Sequence, residues 1–310
     1  MSTLKRRTLL QALAAGAGVS ALGPWNSVLA AEKSLIRKAI PGTDEKLNVI
    51  GMGTWRTFNV GGDPQLREQR TEVLRTFFER GGEVVDSSPM YGSAQEVLGH
   101  ALDQLDVADQ LFSADKVWTR DGDATGQQVS ESASRWGIGR FDLMQIHNLV
   151  SWEAHLESLK AMKAEGEVRY IGITTSHMRR HDQFERIMRD HELDFVQLTY
   201  NPLDRKVEDR LLPLARDRGI AVLANRPFQG GGLIRDLKDR EAPLPDWADE
   251  VDCANWAEFL LKFIVSHPAV TCAIPATTSV EHMNENMGAA FGELPDERQR
   301  RRMLEYLESL

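Results

Sequence analysis

From residue 47 onward the chain alternates eight times between a short apolar run and a longer amphipathic stretch, which restricts its folds more than any other feature. The short runs are Leu47–Gly51, Glu83–Ser88, Leu111–Val117, Asp142–His147, Tyr170–Thr174, Phe195–Tyr200, Ile220–Asn225 and Val270–Pro275. Most are rich in Val, Ile, Leu or Phe, the pattern of strands covered on both faces. Helical spacing recurs between them, in Glu72–Arg80, Trp152–Glu165, Phe184–His191, Glu208–Arg218 and Trp256–His267, with stops at or near Gly81, Gly166 and Gly219. Strict alternation predicts parallel strands joined by helices and closed into a (β/α)8 TIM barrel. A doubly wound open sheet is the alternative. It would show a glycine-rich fingerprint after the first strand, and Gly51-Met52-Gly53-Thr54-Trp55 lacks the third glycine and a prompt helix. Leu35–Ile40 and Lys46–Val49, separated by Pro41-Gly42-Thr43-Asp44, predict an N-terminal β-hairpin, and a further helix is expected at the C-terminus. The segment Gln229–Asn255, with three glycines followed by Pro243 and Pro245, reads as a functional loop.

The 310 residues accommodate one such barrel, of about 250 residues in its usual form, behind a leader. Residues 1–30 carry Lys5, Arg6 and Arg7 and no acidic side chain, then an apolar run and a small-residue cleavage site at Val28-Leu29-Ala30. That order is the order of an export signal, and Arg6-Arg7 before Thr8-Leu9-Leu10-Gln11 resembles the twin-arginine (Tat) type. We therefore expect a signal peptide over 1–30, a single barrel domain over 31–310, and a periplasmic destination. Losing the three cations takes the formal charge from −9 to −12. Such a charge argues against binding nucleic acid or an anionic membrane, and no apolar window after residue 31 is long enough to span a bilayer. Cys253 and Cys272 are the only cysteines. An oxidising compartment permits one bond between them, but the apolar run around Cys272 favours two buried thiols.

A barrel collects its chemistry where the strands end. Here the second run ends at Asp86 and leads through Ser87-Ser88-Pro89-Met90 to Tyr91, the third carries Lys116, and the fourth ends at His147. Taken singly, the Asp is a helix cap and the Lys and His are satisfied surface groups. Their shared rim is harder to explain that way. A tyrosine hydroxyl, with an ordinary pKa of about 10, is a poor acid near neutrality. An adjacent ammonium is expected to bring that pKa down, a carboxylate keeps the lysine charged, and an imidazole polarises a carbonyl oxygen. Tyr91, Lys116, His147 and Asp86 therefore suit reduction of a carbonyl, with Tyr91 giving the proton while a cofactor delivers hydride.

At these residues the sequence resembles the aldo-keto reductase superfamily over essentially all of residues 35–310. The likeness rests on Gly51-Met52-Gly53-Thr54-Trp55, Asp86 with Tyr91, Lys116, Gln145-Ile146-His147-Asn148, and Gly166-Glu167-Val168-Arg169-Tyr170-Ile171-Gly172-Ile173. It continues through Gln197, Tyr200-Asn201-Pro202, Ile274-Pro275 and Glu285-Asn286. The resemblance implies a small-molecule aldehyde or ketone as substrate and NADPH as cofactor, with NADH the second choice. It implies that Thr174, Thr175 and Gln197 meet the nicotinamide amide, although the two threonines equally suit a helix cap. It extends the cofactor site to Thr54, Asp86, Asn225, Pro227, Phe228, Gly230, Thr277, Thr278, His282, Glu285 and Asn286, and the substrate site to Trp55, Tyr91, Trp118, His147 and Arg226. Three departures stand out. Thr174-Thr175 replace Ser-Asn, Asn225 stands where an aromatic residue stacks on the nicotinamide, and Ala276 and His282 replace the cations that meet a 2′-phosphate. Arg226, where a small residue is usual, suits an anionic substrate, the pyrophosphate or a rim salt bridge.

Other readings of the residues are a Schiff-base lyase using Lys116, opposed by the neighbouring Asp115 and Asp86, and a nucleotide-sensing accessory protein on the same barrel. His177 and His181 lack the Glu of a zinc-protease motif, and no metal is expected. An exported, cofactor-dependent enzyme would carry its dinucleotide with it and depend on a redox partner to recycle it, or keep a cytoplasmic fraction.

Overall fold

The computed structural model describes residues 34–176 and 178–310, so the leader read in 1–30 and His177 lie outside the described residues. The chain opens with an antiparallel hairpin, β1 (Arg37–Ala39) and β2 (Lys46–Asn48). Eight parallel strands follow: β3 (Met52–Gly53), β4 (Val84–Asp86), β5 (Phe112–Val117), β6 (Phe141–Ile146), β7 (Val168–Thr174), β8 (Phe195–Thr199), β9 (Ala221–Asn225) and β10 (Cys272–Ala273). Each pairs with its sequence neighbour from β3 to β10. The ring is completed by backbone bonds across the first and last strands, Gly51 N–H to Ala273 O at 2.8 Å and Gly53 N–H to Pro275 O at 2.9 Å.

The helices are α1 (Pro64–Glu79), α2 (Ala94–Leu105), α3 (Thr125–Trp136), α4 (Trp152–Ala164), α5 (His181–Asp190), α6 (Leu211–Arg218), α7 (Gly232–Asp239), α8 (Trp256–Val265), α9 (Val280–Gly288) and α10 (Glu297–Ser309). One helix follows each barrel strand, with α7 inserted after β9 and α10 appended at the end. The fold is thus the (β/α)8 barrel with its hairpin and C-terminal helix. Cys253 and Cys272 are buried thiols.

Two stretches are organised differently from the expectation. The run Leu47–Gly51 is divided, its first part pairing in the hairpin and the barrel strand starting only at Met52. Both parts are apolar for different reasons: Leu47 plugs the barrel, whereas Ile50 and Met52 pack beneath the helices. Gln229–Asn255 is not one open loop. Leu233 and Leu237 of α7 pack against Leu260 of α8, and apolar spacing of four is what makes that stretch helical.

Side-chain alternation sorts the interior into two ends. Val84, Phe112, Leu143, Phe195 and Ala221 face inward at the N-terminal end, where Ile40 and Leu47 of the hairpin close over them, fully buried. Burial of each of those two hairpin side chains contributes about 1.5–3 kcal/mol. Two or four residues further along the same inward face come Asp86, Lys116, Gln145, Gln197 and Asn225. The other parity packs Val85, Met144, Ile146, Ile173, Val196 and Val222 against the helices.

Candidate active site

Seven strand ends and the turns that follow them build a cavity of about 440 Å³ at the C-terminal end. Its floor is the inward polar face of β4, β5, β6 and β8. Asp86 is buried at the end of β4 and its carboxylate is fully engaged. One oxygen accepts from Lys116 Nζ at 2.6 Å, and the other accepts from Gln197 Nε2 at 2.8 Å and Gln145 Nε2 at 3.2 Å. Lys116 Nζ also donates to the Ser87 carbonyl at 2.7 Å. Burial by itself would lower the lysine's pKa, but Asp86 and its neighbours outweigh that, so Lys116 is held above its ordinary value. Removing either partner would leave a buried charge without compensation.

Tyr91 enters from a 3-10 turn, Pro89–Tyr91, that Ser88 caps and Pro89 opens. Its ring stands 5.1 Å from Lys116 Nζ and meets the His147 ring edge-on, with centroids 5.8 Å apart. Burial pushes the Tyr91 hydroxyl up, and the opposing pull of Lys116 does not cancel it. The expectation that lysine would bring this pKa down is therefore reversed in the net. Desolvation of a phenolate at this depth exceeds the attraction of one ammonium already committed to a carboxylate.

His147 is buried in the turn after β6. Burial first, and then the Lys116 charge, lower its pKa to about 3, so its imidazole is neutral. Ser88 Oγ accepts from Met90 N–H at 3.2 Å and lies 2.8 Å from His147 Nδ1. With that hydroxyl donating to Nδ1, the ring carries its proton on Nε2, where it can meet a ligand in the cavity. Asn148 has a positive φ of 52°, and its N–H donates to Thr174 Oγ1 at 3.1 Å, fixing the turn that carries the histidine. Thr174 is thus a cap for this turn as well as a cavity residue.

The remaining wall is formed by Thr54, Trp55, Asn225, Arg226, Pro227, Phe228 and Gly230. The Thr54 hydroxyl lies 2.8 Å from Ser87 Oγ and 3.0 Å from the Asp86 carbonyl, tying the first strand end to the second. Asn225 Oδ1 accepts a hydrogen bond from Thr199 Oγ1 at 2.8 Å, and Asn225 Nδ2 donates to Gln197 Oε1 and the Thr175 carbonyl, each at 3.3 Å.

This arrangement coincides with a family match: residues 49–301 fit the aldo/keto reductase family. The chain belongs to that family. It is 25% identical over 257 residues, 81% of this chain and 88% of the other, to a protein of Escherichia coli named methylglyoxal reductase YeaE. It is 29% identical over 231 residues, 62% of this chain and 67% of the other, to an NADH-specific methylglyoxal reductase of the same organism. Among solved structures it is similar to an aldo/keto reductase from Klebsiella pneumoniae in complex with NADP and acetate, with a TM-score of 0.71 and 23% identity over 85% of this chain and 92% of that one.

Within this aldo/keto reductase barrel, the expected residues divide into three sets. Thr54, Trp55, Asp86, Tyr91, His147, Thr174, Gln197, Asn225, Arg226, Pro227, Phe228 and Gly230 line one cavity. Lys116 and Thr175 are buried behind its wall. Trp118, Thr277, Thr278, His282, Glu285 and Asn286 lie outside that lining, Trp118 being 44% exposed. Trp118 continues the parity of Lys116, but β5 ends at Val117 and the chain turns away. Arg56, Thr57, Met90, Asn148 and Ser176 line the cavity without having been singled out. Gln145 had a legible signal, since it is two residues before His147 on the same face of an apolar strand. Ser88 had none.

Proposed function

We propose that the chain reduces an aldehyde or ketone to the alcohol with a nicotinamide dinucleotide, NADPH ahead of NADH, Tyr91 being the general acid. The placement of Tyr91 beside His147 on the cavity wall, with the Lys116–Asp86 pair buried beneath, carries this reading. The dinucleotide supplies hydride to the carbonyl carbon when bound. As the carbonyl π electrons move onto oxygen, that oxygen takes the Tyr91 proton, and Lys116 then faces the phenolate left behind. His147 Nε2–H orients the same oxygen by a hydrogen bond. The raised Tyr91 pKa keeps the proton in place until this happens.

The donor set fits a nicotinamide amide. Gln197, Thr174 and Asn225 bring amide and hydroxyl groups together on one wall, with Thr175 behind them. Pro227, Phe228 and Gly230 would border the sugar and diphosphate. Thr277, Thr278, His282, Glu285 and Asn286 would meet the adenosine end, where residues 276–286 contain neither Lys nor Arg. Hydroxyls and main-chain N–H groups at the start of α9 are the groups available to a 2′-phosphate there.

The test is loss of reduced-nicotinamide absorbance on mixing residues 31–310 with NADPH and a series of small aldehydes and ketones. Turnover with at least one carbonyl is expected. Tight nucleotide binding with no turnover across the series overturns the reading. Residues 1–30 remain our proposed Tat-type leader, which implies periplasmic export with bound cofactor and a redox partner for recycling. Replacing Arg6 and Arg7 together by Lys should hold the chain in the cytoplasmic fraction, and unchanged export would remove that role.

A further inference from the structure

Among the described residues, three charged side chains line the cavity: Asp86, Arg56 and Arg226. Asp86 is neutralised by Lys116 at 2.6 Å. Among the described residues neither arginine side chain forms an ion pair or a hydrogen bond; both are directed at Trp55. The Arg56 guanidinium carbon lies 4.2 Å from the indole centroid and that of Arg226 lies 5.9 Å from it. They arrive from separate segments, Arg56 from the loop after β3 and Arg226 directly after β9. Two like charges on one ring repel each other, and this happens in a chain whose formal charge is −9.

The backbone adds a second observation. Arg56 has φ of 64° and Arg226 of 52°, the left-handed region that favours glycine. Long side chains are thus held at both positions against local preference, a feature that gathers at functional sites. Thr57, next in sequence, has a buried hydroxyl with no hydrogen-bond partner among the described residues and lines the same wall. Two planar guanidinium forks match an oxyanion, carboxylate or phosphate, that accepts from several donors.

We propose that Arg56 and Arg226 form an oxyanion clasp beside Trp55 for a ligand of this cavity. The clasp rests on the reductase reading above. Two sources share its chemistry: a carboxylate on the carbonyl substrate and the diphosphate of the dinucleotide.

The experiment compares wild type with Arg56→Gln and Arg226→Gln, using benzaldehyde, 4-carboxybenzaldehyde and ADP-ribose as probes. A substrate carboxylate predicts that the ratio of kcat/KM for the carboxylated over the neutral aldehyde falls by about tenfold in each variant, the usual scale for losing one charge-assisted hydrogen bond. A diphosphate predicts that this ratio holds while the ADP-ribose Kd, read from tryptophan quenching, rises by about as much. Either result supports the clasp. If the wild type reduces benzaldehyde but neither variant moves the ratio or the Kd, the clasp is overturned and the reductase reading stands. If the wild type reduces neither aldehyde and binds no dinucleotide, both fall. Arg56→Gly and Arg226→Gly control for folding: their Tm should equal or exceed that of wild type, because glycine relieves the backbone, while the ligand effects persist.

Discussion

The two ends of the barrel are built from the same eight strands and held by opposite means. At the N-terminal end, inward side chains are apolar and the hairpin seals them with Ile40 and Leu47. Its polar groups stay at the rim, where Arg169 bridges Glu45 and Asp142, and Lys38 donates to the carbonyls of Val265, His267 and Val270. At the C-terminal end the interior itself is polar. Asp86, Lys116, Gln145 and Gln197 form one hydrogen-bonded layer beneath the cavity. Apolar packing tolerates small errors of shape, whereas a buried charge network holds only while every member is present. One end is therefore built to be stable and the other to place charges.

That contrast can be broken or sharpened by experiment. Lys116→Met should have the largest effect, because it removes the Tyr91 partner and also strands Asp86. We expect turnover to fall by about 10²–10⁴-fold and stability by about 3–5 kcal/mol, measured by steady-state kinetics and urea unfolding. Adding Asp86→Asn should restore part of the stability and none of the rate. Leu47→Ala at the opposite end should cost about 2–5 kcal/mol of stability and leave kcat as in wild type. A kcat loss there would show that the ends are not separable.

The pH dependence is subtler. His147 is a base whose folded pKa, about 3, lies below its ordinary value. Its stabilising contribution is therefore complete above about pH 6.5 and is lost as pH falls toward the folded pKa. His147 should accordingly contribute no acid limb near pH 6.5, and reduction should decline on the alkaline side as Tyr91 deprotonates. Burial pushes the Asp115 carboxyl up to about 7, so the profile is to be taken in Asp115→Asn as well. A limb at 6.5 that persists in that variant would mean that His147 is charged in the working enzyme. The smallest change expected is from His282→Arg, a few-fold tightening of NADPH relative to NADH if residue 282 faces the 2′-phosphate, roughly one exposed charge pair. An unchanged ratio of dissociation constants would remove it from that site.

The barrel was legible because strands covered on both faces are apolar along most of their length, and because polar residues interrupt that pattern mainly toward their C-terminal ends. Asp86, Lys116 and His147 were visible as such interruptions. The first strand was harder: the expected hairpin arm Lys46–Val49 and the expected strand Leu47–Gly51 overlap, and the structure divides them after Asn48, whose side-chain oxygen accepts from Ile50 N–H at 2.9 Å. Helix α1 starts at Pro64, well before the expected Glu72, because its first two turns are polar and carry no stripe; its signal was Asp63 before Pro64, a cap whose carboxylate accepts from Leu66 N–H at 2.9 Å. Depth was beyond reach. Whether lysine or burial governs Tyr91 depends on how much water the fold excludes, and whether Trp118 faces the cavity depends on where the strand stops. Ser88 holds His147 Nδ1 at 2.8 Å from a loop position where serine is ordinary.

Tyr91→Phe tests the central claim most directly, because it removes one hydroxyl and keeps the ring that packs against His147. Nucleotide Kd, Tm and carbonyl reduction should be measured on the same preparation. With Tyr91 as the acid, Kd should stay within about twofold and Tm near wild type, with reduction lower by about 10²–10⁴-fold, the usual contribution of a positioned general acid. Reduction at the wild-type rate in that variant would contradict that role, and the proton would have to come from elsewhere in the cavity.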